Sequence, residues 1–287
     1  MRQAAATDSG QWDLILRPKT GWFDIDLKEL WRYRDLVAMF VRRDFVTQYK
    51  QTILGPLWYI IQPLFTTVVF TIIFGKVARI PTDELPPFLF YMSGSVIWGY
   101  FAASLTATSN TFNANASIFG KVYFPRLTVP LATVLINFLQ FGIQLALFIA
   151  FYLYFRLNGA TVQPTAWLLL LPLLLAQMAL LSFGLGVLFS SMTTKYKDLR
   201  LAMTFLVQLW MYATPVVYPM SQVPEWLLPW YVLNPVTAMV ESFRHMFFGV
   251  SSVQWSHIGL SWLITLLLLA AGVVLFSRIE KTFMDTV

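Results

Sequence analysis

The sequence predicts an all-α integral membrane protein with six transmembrane helices, an N-terminal amphipathic interface helix, a short crosswise cytoplasmic helix and two short re-entrant outer helices. Two observations carry that prediction: six long apolar runs fill most of the chain, and nearly every ionisable residue lies between them. A helix rises about 1.5 Å per residue, so roughly 20 apolar residues cross a hydrocarbon core of about 30 Å. Lipid offers backbone groups no hydrogen-bond partner, which makes apolar helices the natural spanning form. Composition agrees. Of the 287 residues, 57% are hydrophobic and 12% charged, against about 25% charged in soluble domains, and mean hydropathy is +0.64. No stretch remains for a separate soluble domain. Cysteine is absent, which excludes thiol catalysis, disulfides and Cys-ligated zinc.

Taken in order, residues 1–25 are polar and mixed and form a cytoplasmic arm. Residues 26–52 read as one amphipathic helix. Asp26 is placed to cap it, with Glu29 three residues on completing a capping-box pattern. Leu27, Leu30, Trp31, Val37, Ala38, Val41 and Phe45 recur at helical spacing with basic residues between them. That pattern suits a helix in the membrane interface; a helix docked on a partner protein is the alternative. Gly55 permits a tight turn into the first span, 53–74, and Pro56 suits the first turn of the new helix. Pro63 lies deeper and is expected to kink the span. The second span, 88–113, ends in a polar patch rich in Asn, from which a crosswise helix is read over 114–123. Gly120 is expected to break that helix and Pro125 to start the third span, 127–155.

A turn-rich outer connection leads to the fourth span, 166–191, and a basic loop to the fifth, 201–217. Residues 218–250 are unusual: Pro219, Pro224, Pro229 and Pro235 precede an apolar stretch too short to cross. Two short helices that enter the outer leaflet and return account for this region; a seventh, distorted span is the alternative. The sixth span, 258–277, closes the chain. Orientation follows from Lys and Arg in the connections. Sixteen of the 20 fall on one side of this topology, leaving Lys76, Arg79, Arg156 and Arg244 on the other. Both termini are therefore expected in the cytoplasm. No cleavable signal is expected, because the first 50 residues hold no apolar core of signal length. A pI near 9.5 points to lipid headgroups rather than nucleic acid, because the charges flank the spans.

Catalytic constellations are scarce. His245 and His257 are the two histidines, without metal-ligand spacing. Asp24-Ile-Asp26 has the form of a nucleotide-sugar-binding acidic pair, but helix capping explains Asp26 and no nucleotide-binding domain surrounds it. Gly184 and Gly186 lie inside a span, where small residues let helices approach closely. No phosphate-binding G-x-x-x-x-G-K-[ST] occurs, so ATP must be brought by another polypeptide if it drives transport. Acidic residues are missing from the spans, which disfavours ion-coupled transport. Near the membrane there is Glu241, with Arg244 three residues on to pair with it. Aromatics reach 17%. Trp58, Tyr59 and Phe65 in the first span and Phe205, Trp210 and Tyr212 in the fifth are candidates to line a path for sugar rings, with packing or lipid contact as the alternative.

Four strings, in order, resemble the permease subunit of polysaccharide ABC exporters, the O-antigen, capsule and teichoic-acid export family. They are RRDFVTQYKQTILGPLWYIIQP, KVYFPRLTVPLA, TTKYKDLR, and TPVVYPMSQVP with NPVTAMVESFR. The resemblance runs from about residue 27 to the C-terminus. It implies a homodimer of six-span subunits with two separate ATP-binding subunits, which carry the ATP and Mg, so no cofactor is expected in this chain. It implies that the crosswise segment with Asn115, Ser117, Ile118, Phe119 and Lys121 is a coupling helix docked on the ATPase. On that view Phe119→Asp abolishes export and spares the fold. The segment with Arg42, Arg43 and Asp44 becomes a gate helix, its arginines meeting the phosphates of a lipid-linked glycan or, alternatively, anionic headgroups. Glu241 and Arg244 would belong to an outer re-entrant gate. A drug or small-lipid exporter, or a membrane transferase acting on lipid-linked sugars, are the competing readings; the shortage of acid–base residues weighs against the enzyme.

Overall fold

The computed structural model describes residues 27–50, 52–195, 198–250 and 254–286. The N-terminal arm, the Asp24-Ile-Asp26 pair and the Asp26 cap lie outside these residues. Among the described residues the ordered elements are all helical. Two helices, α1 (Leu27–Arg32) and α2 (Arg34–Tyr49), replace the single amphipathic helix predicted, broken where Tyr33 turns to ψ 17°. Gly55 takes a positive φ of 47°, and a 3₁₀ turn with Pro56 in its first positions leads into α3 (Trp58–Phe70). Pro63 sits inside α3, which continues as a π-helical segment, Thr71–Val77. The bundle is completed by α4 (Pro87–Ser109), α5 (Thr111–Phe119), α6 (Thr128–Leu157), α7 (Leu171–Lys195), α8 (Leu199–Tyr212), α9 (Leu228–Leu233), α10 (Pro235–Phe248) and α11 (Trp255–Thr286).

Among the described residues, five helical stretches are long and apolar enough to cross a membrane: Gly55–Val77, Pro87–Ser109, Thr128–Leu157, Ala166–Thr193 and Trp255–Glu280. The fifth predicted span, 201–217, is not a continuous helix. Its helix, α8, has 14 residues, about 21 Å at 1.5 Å per residue, and the chain from 213 to 217 is irregular. The cause is Pro215, which cannot donate to a helical ladder and disfavours helical backbone at Thr214.

The sequence of burial explains the assembly. α4 occupies the centre: 72% of its apolar window is buried, against 6% for Gly55–Val77. Leu89, Phe90, Tyr91, Val96, Ile97 and Phe101 of α4 are almost wholly enclosed, packed by α6, α7 and α10. Phe148 of α6 and Phe243 of α10 meet at 5.1 Å between ring centroids. α7 and α11 pack most closely where Gly184 and Gly272 remove side chains from the interface: a Cβ at Gly184 would lie 2.6 Å from Leu269 Cα. Gly186 likewise admits Thr108 of α4. The two glycines thus serve helix approach, as small residues do in membrane bundles.

A second apolar cluster sits at one end of the bundle and joins Val37 and Phe40 of α2, Phe112 and Phe119 of α5, Phe124, and Phe276 of α11. At the opposite end the connections gather. Thr165 N–H donates to Met246 O at 3.0 Å, and Ser221 Oγ donates to Asp83 Oδ1 at 2.8 Å. The first described helices and the distal part of α11 therefore share one end of the molecule.

Candidate functional site

The first candidate site is a knot of polar groups inside the bundle, near the end opposite α5. α10 begins where Asn234 Oδ1 accepts from the Val236 N–H at 3.1 Å, with Pro235 in the first turn. It ends at Gly249, whose φ of 73° is left-handed. Thirteen of its 14 residues are buried, including Glu241 and Arg244. Arg244 Nη1 donates to Glu241 Oε1 at 3.0 Å and to Pro215 O at 2.7 Å. Nη2 donates to Val216 O at 3.0 Å. The guanidinium carbon lies 3.8 Å from the Phe90 ring centroid, and Nε reaches Ser93 Oγ at 3.4 Å.

One cation therefore ties α4, α10 and the irregular segment after α8. Buried charge is stable only when paired and hydrogen-bonded, and irregular backbone at membrane depth must have its carbonyls satisfied by protein. Arg244 meets both requirements at once. Gly94 completes the knot, since a Cβ there would sit 2.8 Å from the Val216 carbonyl oxygen. The expected Glu241–Arg244 pair is present. Nothing in the spacing of residues 241 and 244 signals the contacts to 215 and 216, because the acceptors are backbone carbonyls. Behind the knot, Asn234 Nδ2 donates to Thr214 Oγ1 at 2.9 Å and to Ala213 O at 3.0 Å, and Trp210 Nε1 donates to Asn234 Oδ1 at 3.1 Å.

The second candidate is the elbow at the other end. Its helix covers Thr111–Phe119, three residues earlier than the predicted start and four earlier than the predicted end. Asn110 breaks α4 from α5, and Gly120 stops α5 as expected. Thr111 Oγ1 donates back to Thr108 O at 2.7 Å, and Asn115 Nδ2 to Thr111 O at 3.0 Å, so local side-chain bonds turn the chain. Phe119 is 5% exposed and packs against Phe112 and Phe124 at 6.0 and 5.8 Å. It points into the chain and not outward with Ser117 and Lys121. Asn113, Ala114, Ser117, Lys121, Val122 and Tyr123 form the exposed side, while Asn115 and Ile118 are half-buried. Arg126 stacks near Phe119 at 5.6 Å and donates to Glu280 of α11 through its backbone N–H at 3.2 Å. Burial lowers the Arg126 guanidinium from its ordinary value, and the Glu280 carboxylate opposes that shift.

In α2, Arg43 pairs with Asp44 at 2.6 Å and lies over the Phe40 ring at 4.7 Å. Arg42 is exposed beside a groove against α6. The two arginines thus face different surroundings. Of the six aromatic candidates, Trp58, Phe65, Phe205 and Tyr212 are exposed. Tyr59 is half-buried. Trp210 is half-buried and packs edge-on against Phe101 at 5.2 Å. His245 packs against Trp167 at 4.7 Å between ring centroids.

The family model described as ABC-2 type transporter matches residues 35–248 of this sequence. The chain belongs to that family. This ABC-2 type chain is 27% identical over 255 residues to the O-antigen export system permease protein RfbA of Klebsiella pneumoniae, covering 88% of this chain and 94% of the relative. It is 26% identical over 226 residues to the protein of that name from Myxococcus xanthus, covering 77% and 84%. Polysialic acid transport protein KpsM of Escherichia coli is 21% identical over 250 residues, covering 87% and 95%. The ABC-2 match takes in α2, the α5 elbow and the Arg244 knot.

Proposed function

We propose that this chain is the membrane subunit of an ATP-driven exporter that moves a lipid-linked polysaccharide across the cytoplasmic membrane. The observation that carries the reading is the end-to-end relation to permeases named for O-antigen and polysialic acid transport. In this reading α8 and the 213–217 segment together make the fifth of six crossings, and both termini face the cytoplasm. A homodimer forms around the weakly buried α3 and the exposed face of α8. Those two helices flank α4 and carry Trp58, Phe65, Phe205 and Tyr212 into the path. Aromatic faces meet the C–H faces of sugars without fixing their position, which suits a sliding polymer.

ATP and Mg bind on two separate ATP-binding subunits, which dock on the exposed side of α5 around Ser117 and Lys121. The aromatic cluster beneath α5 passes a push to α2 and to the distal part of α11, because Phe119, Phe40 and Phe276 share it. Nucleotide acts by favouring one packing of a two-state interface. The α9–α10 region forms the outer gate, held by Arg244.

The test is expression of this gene with a neighbouring ATPase gene in cells that make the glycan but lack its exporter. Surface glycan is expected only when both genes are present and the ATPase is active. ATP hydrolysis by the purified chain alone, or export without the ATPase, overturns the proposal.

A further inference from the structure

A groove of about 830 Å³ runs between the α1–α2 pair and α6. Trp31, Ala38, Phe45, Leu135 and Leu139 give it apolar walls, and its two charged lining residues are Arg34 and Arg42. Leu131 to Leu139 lie roughly 5–17 Å along α6 from its first residue. With 30 residues, α6 is about 45 Å long and overshoots a core of about 30 Å at its ends. The groove therefore straddles the boundary between headgroups and acyl chains. Beyond Leu139 and Phe45, Gln140 Nε2 donates to Gln48 Oε1 at 3.0 Å and ties α6 to α2. Among the described residues Arg42 has no ion pair, whereas Arg43 holds Asp44 and Arg34 lies 3.9 Å from Asp35.

We infer that this groove is a binding site for one anionic glycerophospholipid, with an acyl chain along Ala38, Leu135 and Leu139 and its phosphate on Arg42. Charge decides the occupant. A neutral apolar helix would leave the Arg42 guanidinium beside it without a counter-charge, whereas a phosphate at the interface takes a bidentate bond from Arg42. Trp31, 71% exposed at the rim, suits the headgroup level. The lipid would brace α2 against α6, and no α3 or α8 residue lines the groove. The inference requires only that the chain resides in a membrane, and so stands apart from the nature of the cargo.

The test is native mass spectrometry of the full-length chain, delipidated in detergent and exposed to phosphatidylglycerol or phosphatidylcholine. One phosphatidylglycerol per chain is expected to survive. Arg42→Gln is expected to weaken retention roughly fivefold, the loss of about one headgroup attraction. Ala38→Trp and Leu139→Trp place bulk from opposite walls at exposed positions, and each is expected to abolish retention without lowering Tm. Equal retention of phosphatidylcholine, retention unchanged in both Trp variants, or displacement of the lipid by a polyisoprenyl phosphate overturns the inference.

Discussion

The guanidinium of Arg244 donates to the carbonyl oxygen of Val216 at 3.0 Å, across 28 residues of chain. That bond explains how an irregular segment survives inside an apolar bundle. α8 stops short because Pro215 cannot extend it, and the carbonyls freed at 215 and 216 need donors. Arg244 supplies both, while Glu241 balances its charge. A residue that reads as a gate charge is, by contact, the fastener for the end of a half-length helix.

Removing the fastener should cost more than removing its counter-charge. Arg244→Met leaves Glu241 and two carbonyls buried without this donor, and breaking a buried pair from one side costs about 3–5 kcal/mol. Glu241→Gln keeps an acceptor for Arg244 and leaves its two carbonyl bonds in place, so a smaller loss is expected. Thermal unfolding of the detergent-solubilised variants checks the order. Equal losses would mean that the ion pair, and not the carbonyl bonds, carries the stability.

Gly94→Ala offers a test of opposite sign to helix propensity. In an ordinary helix interior this change gains about 1 kcal/mol. Here the new Cβ would meet the Val216 carbonyl oxygen at 2.8 Å and the Arg244 guanidinium at 3.1 Å. The 213–217 backbone must move, and Arg244 loses its aim. The expected outcome is a lower Tm and weakened export with normal membrane insertion, read by fractionation and surface-glycan staining. Gly142→Ala in α6 is the control, because nothing lies within 4 Å of its Cβ.

Much of this arrangement is legible in the sequence. Apolar runs of spanning length located α3, α4, α6, α7 and α11, since lipid demands long apolar helices whatever they pack against. Gly55, Gly120 and the short helices after Pro224 followed from local backbone rules. Three features were not readable. The run 201–217 is largely apolar, and hydropathy does not register that Pro215 ends its helix early. The Asn110 break looks like the polar end of a span, so residue pattern sets the start of α5 three residues late. The acceptors of Arg244 are backbone carbonyls, which no residue pattern announces.

The glycine pair between α7 and α11 sets a third expectation. A methyl on Gly272 would run into the Gly184 carbonyl, and a methyl on Gly184 into the Leu269 backbone. Backbone cannot swing aside as a side chain can, so the two helices must separate along a long interface. Gly272→Ala is expected to lower Tm clearly, and Gly184→Val more so. Gly259→Ala, in the same α11 but in open space, is expected to raise Tm slightly, by the propensity gain of about 1 kcal/mol. A neutral Gly272→Ala would show that the helices sit farther apart than described.

The elbow separates docking from folding. Phe119→Asp was expected from sequence to uncouple the motor and spare the fold. With Phe119 enclosed by Phe112, Phe124 and Arg126, the carboxylate would instead be buried beside aromatic rings, and the nearby Arg126 is already engaged by Glu280, so burying the charge is severely destabilising. Reduced Tm and loss of the chain from membranes are the expected result. Ser117→Trp adds bulk on the exposed side of α5 and touches no core residue, so Tm should hold while co-purification of the ATP-binding subunit falls. Phe119→Leu keeps the apolar contact at some packing cost and should retain that co-purification. If Ser117→Trp binds the ATPase as well as the unaltered chain does, the motor grips another surface.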